Sequence, residues 1–229
     1  MKTFFPFIIA LASLPFITGS AKRTLSNHVK TIYDHHAPQK STQTGVYLFY
    51  MGNIGNRPVD LQIEMVTTIG IQYVVSVGAN GKNTHPQMAI FYKFSKPNQA
   101  VYYNYLTHQS KTLTAAESST DNGGPDVTVV GTGNMNTFPC THLVSKSEKS
   151  TEEYWMSQKV PGFVTFVKKL NQINPNLVLM DINETVFNWG GLVKIKWADK
   201  TGKITGNFDI KNVTPNAQID ASDFDPPSK

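Results

Sequence analysis

Cysteine and histidine are the residues of this sequence best suited to metal chemistry. Cys140 and His142 lie two residues apart, so in a β-strand their side chains point to the same face and form half of a metal site. The second half would have to come from His85 or His108, and no motif in the sequence brings either histidine to Cys140. We therefore expect no metal ion and no other cofactor.

The sequence lacks a recognisable catalytic nucleophile. It contains no Gly-x-Ser-x-Gly motif, the strained turn that presents the serine of many hydrolases. Cys140 is the only cysteine, and no helix N-terminus or adjacent cation is expected to lower its thiol pKa. A buried inert thiol, an intermolecular partner and a reactive thiol remain open for it. Asp181 lies in an otherwise apolar segment, where a hydrogen-bonded turn or edge position is favoured over an acid–base role. We expect that the protein is not an enzyme.

The first 21 residues have the parts of a signal peptide. Lys2 provides the positive start, an apolar stretch follows, and Gly19-Ser20-Ala21 supplies the small residues that a signal peptidase reads. The alternative, a membrane anchor, needs about 20 apolar residues, whereas this stretch is shorter and is interrupted by two prolines. We expect cleavage near Ala21 and a periplasmic or secreted product. A single cysteine cannot form an internal disulfide, so the core alone must stabilise the fold.

The net charge of +5 is spread along the chain without a run of like charges. A nucleic-acid interface needs a concentrated basic stripe, so we expect none. Mild attraction to anionic membrane surfaces remains open, and Lys168, Lys169, Lys194 and Lys196 are the residues expected to contribute to it.

The mature chain has two predicted parts. Residues 22–44 form a short helix and a lead-in, because apolar residues recur at helical spacing between Leu25 and His36. Residues 45–227 form one β-rich domain of about nine or ten strands, most of them with alternating apolar residues. The stretches with strand character are 46–51, 59–65, 71–77, 88–94, 101–105, 127–130, 141–144, 153–156, 177–182, 193–197 and 204–210. One later helix is predicted between Pro161 and Pro175. This mix indicates a mostly β, α+β fold, with a curved antiparallel sheet or partial barrel and helices on one side.

The second half of the chain resembles the uncharacterised exported domains with a LolA-like, lipoprotein-carrier fold. The resemblance rests on the Phe138-Pro139-Cys140 segment, the Tyr154-Trp155 strand, the following helix, and the closing segment Asp220-Ala-Ser-Asp-Phe224-Asp-Pro-Pro. It covers roughly residues 45–227. It implies a strongly curved antiparallel sheet, an unclosed half-barrel whose concave side is covered by the two helices, and for the carriers of that fold a concave side that holds acyl chains.

Apolar side chains at alternate strand positions are the candidates for such a ligand site. Either they fill a core, or part of them line an open cavity, for which methionine and tyrosine are well suited. The candidate ligand-binding residues are Tyr47, Phe49, Ile63, Met65, Tyr73, Met88, Ile90, Tyr92, Tyr103, Tyr105, Phe163, Phe166 and Trp197.

The sequence therefore predicts a monomeric, exported carrier that shelters a lipid or other hydrophobic ligand in the concave face of its sheet. The alternative is a structural or protein-interaction module of the cell envelope, with a filled core and no ligand, that recognises an envelope protein through its edge strands.

Overall fold

Eleven antiparallel strands form one sheet in the computed structural model, which describes residues 41–78, 84–115, 126–174, 177–178, 180 and 182–227. The strands are β1 (Thr42–Ile54), β2 (Arg57–Val66), β3 (Gly70–Gly78), β4 (Thr84–Lys93), β5 (Gln99–Asn104), β6 (Gln109–Thr114), β7 (Val127–Met135), β8 (Phe138–Lys146), β9 (Ser150–Ser157), β10 (Gly191–Asp199) and β11 (Ile204–Asp220). The expected signal peptide, the N-terminal helix and Asp181 lie outside the described residues.

The sheet consists of two meanders joined by their first and last strands. Its order is β6-β5-β4-β3-β2-β1-β11-β10-β9-β8-β7, so every neighbour is adjacent in sequence except β1 and β11. Those two strands pair from Thr42 opposite Asp220 to Ile54 opposite Gly206. Within the described part of the chain, β6 and β7 each pair on one side, and the sheet is not closed. The prediction of a mostly β, unclosed antiparallel fold is confirmed.

The predicted later helix is confirmed as α1 (Phe163–Ile173), which packs on one face of the sheet. Its buried residues recur at three- and four-residue spacing, as an amphipathic helix requires. Phe163 lies with its ring centroid 5.7 Å from that of Tyr50 in β1, and Phe166 lies 5.1 Å from Tyr73 in β3. We call the side of the sheet that carries these contacts the helix face, and the other side the opposite face.

A buried hydrogen bond connects the two meanders beneath α1. The Tyr50 hydroxyl donates to the Leu192 carbonyl oxygen over 2.7 Å. Leu192 lies at a register shift between β9 and β10, where the ladder is interrupted. The tyrosine thus provides a partner for a buried carbonyl at an irregular point of the sheet.

Three segments differ from the sequence prediction. The strand predicted at 177–182 is wrong for its described residues, because Leu177, Val178 and Met180 lie in buried bends. A short apolar run signals burial but does not by itself distinguish a strand from a buried loop. Strand β6 escaped prediction because its side chains are mostly polar and exposed, and β11 continues ten residues beyond Ile210 through polar sequence. Pairing with β5 and β1, respectively, orders both segments.

No helix within the described ranges has both the length and the apolar character needed to cross a bilayer.

Close backbone approach between β1 and β11 requires a glycine at position 52. A Cβ atom on Gly52 would lie 1.9 Å from the Asn207 carbonyl oxygen, whereas a Cβ on Gly133 in edge strand β7 would meet nothing within 4 Å. We expect Gly52→Ala to lower the free energy of unfolding by about 1–3 kcal/mol, since the backbones must separate. Gly133→Ala is the matched control and should change it by less than about 0.5 kcal/mol. Urea denaturation measures both, and equal losses would contradict the assignment of β1–β11 as a close backbone contact.

Candidate ligand-binding cleft

The candidate ligand-binding residues from the sequence divide between the two faces of the sheet. Strand register and the position of α1 place one group on the helix face: Ile63, Met65, Tyr73, Met88, Ile90, Tyr92, Phe163, Phe166 and Trp197. The second group, Tyr47, Phe49, Tyr103 and Tyr105, lies on the opposite face. The two groups were expected to form one surface, whereas the sheet separates them.

Side chains of the helix-face group pack as core. All of them except Trp197 are buried, and none of these buried side chains is more than 5 % exposed. Trp197 is half-buried and makes an edge-to-face contact with Phe208 at a centroid distance of 5.9 Å. The rings of α1 occupy the space above Tyr50 and Tyr73. The protein's own side chains therefore occupy the described part of this face.

A cleft of about 200 Å³ lies on the opposite face, near the sheet edge formed by β6. Phe91, Val101 and Thr112 stand directly opposite one another on β4, β5 and β6, and form its floor. The C-terminal segment Phe224 to Pro226 forms a wall. The floor continues into an apolar cluster of Val74, Ala89, Phe91 and Tyr103, with Val101 and Tyr105 packed against it.

The C-terminal wall is held in place by a capped turn and a buried ring. Asp220 Oδ1 accepts hydrogen bonds from the backbone N–H and the hydroxyl of Ser222, at 2.9 Å and 2.8 Å, at the start of the 3₁₀ helix Ala221–Phe224. The Phe224 side chain is fully buried and packs with Val66 and Ile219. The closing segment of the sequence, Asp220 to Pro226, is thus the segment that builds the cleft wall.

Charged groups lie at the border of the cleft. Lys93 forms an ion pair with Asp225, which joins the end of β4 to the C-terminal wall. Lys96, in the turn between β4 and β5, is exposed and forms no ion pair with a described residue. Gln99, Ala100 and Thr112 complete the lining. An apolar floor with a cation at the mouth suits a ligand that has an apolar body and an anionic end.

A buried carboxyl group lies close to the same C-terminal wall. Glu64 of β2 stands between Tyr47 of β1 and Gln72 of β3 on the opposite face, and its Oε2 atom is buried without a hydrogen-bond partner among the described residues. Burial raises the pKa of Glu64 to about 7, and the carboxylate of Asp223 contributes to that rise. Burial, followed by the charges of Glu64 and Asp60, raises the pKa of Tyr47 to about 12.

The side chains of Cys140 and His142 lie in different environments. Cys140 is buried, its thiol donates to the Phe138 carbonyl oxygen at 3.3 Å, and burial raises its pKa, which favours the unreactive thiol form. His142 stacks on Trp155 at a centroid distance of 4.4 Å and contacts Glu153 at 3.2 Å. Across the part of the chain that the structure describes, no group of three or more potential metal ligands occurs.

Comparison with known protein families assigns the chain to one of them. Residues 74–229 match the model of DUF4412, a domain of unknown function, and this match covers more than half of the sequence. The chain belongs to the DUF4412 family. Membership of an uncharacterised domain family, as the sequence motifs predicted, is therefore confirmed. No curated protein sequence matches this DUF4412 chain significantly.

Three solved structures illustrate how far the structural similarity of this DUF4412 chain extends. An uncharacterised conserved protein from Thermus thermophilus has a TM-score of 0.47 at 10 % identity, over 81 % of this chain and 86 % of that protein. MucB in its complex with MucA from Pseudomonas aeruginosa has a TM-score of 0.40 at 8 % identity, and the match covers 80 % of this chain and 55 % of MucB. A predicted outer membrane lipoprotein-sorting protein domain from Vibrio parahaemolyticus has a TM-score of 0.30 at 9 % identity, over 80 % and 89 % of the two chains. TM-scores below 0.5 do not establish a shared function.

The cleft was not predicted from the sequence, although the position of one apolar residue indicated a second apolar face. Phe91 is an apolar residue at an odd position of a strand whose expected apolar face is formed by Met88, Ile90 and Tyr92, whereas Val101 belongs to the expected apolar set of its own strand. The register between the two strands places both residues on the opposite face. The closing segment, Asp220 to Pro226, contributes to the family resemblance in the sequence, but its position as the cleft wall follows only from the fold. Thr112 gave no signal, because β6 has a polar sequence.

The raised pKa of Glu64 predicts how the stability of the protein depends on pH. Its pKa is about 7 in the folded chain, above its ordinary value of 4.5, so between these values the unfolded chain releases the proton while the folded chain retains it. The free energy of unfolding should therefore fall as pH rises from about 4.5 to about 7, and then remain level. Glu64→Gln should remove this fall and stabilise the protein at pH 8 by up to about 3 kcal/mol.

Urea denaturation at several pH values measures the effect of Glu64→Gln. Glu148→Gln, in an exposed turn between β8 and β9, is the charge-matched control. If the wild-type and Glu64→Gln curves run parallel between pH 4.5 and 7, the buried carboxyl group does not control this transition.

Proposed function

We propose that this protein is an exported carrier or binding protein that holds the apolar part of an amphipathic anion in the cleft between β4–β6 and the C-terminal wall. The observation that carries this proposal is the composition of the cleft. It has an apolar floor of Phe91 and Val101, and at its mouth the exposed ammonium group of Lys96, which no described residue pairs. The signal-peptide pattern supports the exported location. The proposed site differs from the concave helix face that the sequence suggested, since the described side chains there fill the space.

The cleft volume defines the size of ligand that fits. An apolar cavity of about 150 Å³ accepts one benzene ring, and drug-sized ligands occupy about 300–1,000 Å³. A cleft of about 200 Å³ therefore suits one aromatic ring or a short acyl segment, with the remainder of a larger ligand outside. Such a ligand binds and leaves without covalent chemistry. Binding of this kind requires no catalytic group in the cleft, and we propose that the protein is not an enzyme.

The length of one connection supports the further proposal that the sheet is curved as a half-barrel. Ten inter-strand spacings of about 4.8 Å would place β6 and β7 about 48 Å apart in a flat sheet. Thr114 ends β6 and Val127 begins β7, so the chain between them spans at most about 47 Å when fully extended. These two residues also lie at opposite ends of their strands, which adds to the distance in a flat sheet. The proposed twist and curvature would bring the two edges within reach of this connection.

Thr112→Trp tests occupancy of the cleft. Thr112 is exposed on edge strand β6, so the larger side chain can be accommodated without repacking the core, and it would lie over the floor beside Val101. We expect the affinity for anilinonaphthalene sulfonate, an aromatic anion, to fall by at least about tenfold, which corresponds to about 1.4 kcal/mol. Ser110→Trp, also exposed on β6 but outside the cleft lining, is the matched control and should retain binding. Loss of affinity in both variants, or in neither, would contradict the assignment of the site.

Lys96→Gln tests the anionic end of the ligand. The variant lacks the exposed ion pair that Lys96 would form with the carboxylate of octanoate, so octanoate should bind about two- to fivefold more weakly in isothermal titration. Binding of the uncharged octanol should be unchanged. Lys111→Gln, which removes an exposed lysine on β6 outside the cleft lining, is the control. Equal sensitivity of octanoate and octanol to Lys96→Gln would show that the lysine does not recognise charge.

A protein-interaction module is a second candidate function, and the sheet edges favour it. Within the described ranges β7 pairs only with β8, and its Val129 and Val130 side chains are half or more exposed. An extended segment of a partner can pair with such an edge. Native mass spectrometry of the gently purified protein separates the two functions. A co-purified small amphipathic anion would support the carrier, and a stoichiometric protein partner with no small ligand would support the module.

A further inference from the structure

The exposed large apolar side chains of the described residues lie at one end of the sheet. We call this the hairpin end, defined by the turns β1–β2, β5–β6, β8–β9 and β10–β11, all of which lie at the same ends of their strands. Five large apolar residues of the described chain are more than 40 % exposed: Met51, Leu106, Val129, Val130 and Ile204. Each of them lies in one of these turns or within three residues of this end of its strand.

Basic residues occupy the same end of the sheet. Three of its hairpins are close neighbours, since their strands follow one another in the order β2-β1-β11-β10-β9-β8. Exposed cations flank or form the turns of these three hairpins: Arg57, Lys146, Lys149, Lys200 and Lys203. None of the four lysines forms an ion pair with a described residue.

The acidic residues at the hairpin end only partly offset these cations. Among the described residues that form these turns or flank them directly, they are Asp126, Glu148 and Asp199, which leaves an excess of two positive charges; Glu152 and Glu153 lie two and three residues inside β9 and are half-buried, and Asp60 is buried inside β2. Asp199 is held inside its own turn, where Oδ1 accepts hydrogen bonds from the hydroxyl of Thr201 at 2.5 Å and from the backbone N–H groups of Thr201 and Lys203. Its carboxylate therefore shapes the turn that presents Lys200 and Lys203.

This juxtaposition of exposed apolar and basic side chains has a specific physical consequence. Exposure of each apolar side chain to water is unfavourable, and its transfer to the interfacial region of a bilayer lowers the free energy. Each basic residue near an anionic leaflet contributes about 1 kcal/mol, an attraction that decays over a Debye length of about 10 Å. The two contributions act together only if both kinds of side chain reach the surface at once, and a shared end of the sheet allows this.

We propose that the hairpin end docks this protein onto an anionic phospholipid surface. The hairpins β8–β9 and β10–β11 supply the charge, and Ile204 enters the headgroup region beside Lys203. This surface is separate from the ligand cleft, whose cation Lys96 lies in the β4–β5 turn at the other end of the sheet. The lysines first considered for membrane contact do not form one surface, because Lys168 lies on α1 whereas Lys194 and Lys196 lie on the opposite face over the Trp155 ring.

Sedimentation with lipid vesicles tests the proposal on the purified protein. We expect binding to equimolar phosphatidylcholine–phosphatidylglycerol vesicles, weaker binding at high salt, and little binding to pure phosphatidylcholine. The double variant Lys200→Glu and Lys203→Glu should lower the partition coefficient by roughly 30-fold or more, since two cations become anions. Both positions are exposed in a turn, so folding should be retained, and circular dichroism verifies this.

The double variant Lys168→Glu and Lys169→Glu on α1 is the control, because it changes the net charge of the protein equally at another site. It should retain most of the vesicle binding. Ile204→Ser, without a change of charge, should weaken binding to the mixed vesicles by a smaller factor.

Three results would overturn the proposal. The first is the absence of binding that depends on phosphatidylglycerol. The second is an equal loss in both double variants, which would show a dependence on net charge alone. The third is binding of single-stranded DNA that is lost in Lys200→Glu and Lys203→Glu while vesicles remain unbound, since that result would identify the basic turns as a nucleic-acid site.

Discussion

The pairing of β1 with β11 is the contact on which the rest of the structure depends. Within each meander neighbouring strands are consecutive in sequence, and only β9 and β10 are joined by a longer segment, the one that contains α1, whereas Thr42 and Asp220 come from opposite ends of the described chain. Their pairing must offset the entropy of closing that long loop. The long ladder from Thr42–Asp220 to Ile54–Gly206, with the close backbone approach at Gly52, keeps the two strands together.

Several features of the protein exist only because this pairing joins the two meanders. Helix α1 follows β9 in the second meander, yet Phe163 and Phe166 pack on Tyr50 and Tyr73 of the first. The C-terminal segment continues β11 and ends at the strands of the first meander, where the ion pair of Asp225 with Lys93 joins it to β4. The core of the helix face and the cleft of the opposite face are thus both products of one long-range contact.

The two faces of the sheet meet different physical demands. On the helix face aromatic side chains fill the space beneath α1, which is the main source of stability in a chain without an internal disulfide. On the opposite face the covering is incomplete and partly polar, so a cleft and the buried Glu64 are present. The desolvation that raises the pKa of Glu64 costs stability above pH 7, in the region where the C-terminal wall lies.

The sequence by itself determined the local elements, because alternation of apolar residues over strands such as Val59 to Met65 and the spacing of Phe163, Phe166 and Leu170 are properties of neighbouring residues. It also carried the motifs that identify the family. Tertiary structure alone decided which face each strand residue occupies, since the register pairs Tyr47 with Glu64 on the opposite face and Tyr73 with Ile63 on the helix face. It likewise ordered β6, placed Thr112 beside Val101 and brought Phe224 to β4, because pairing between distant strands, and not local preference, fixes those positions.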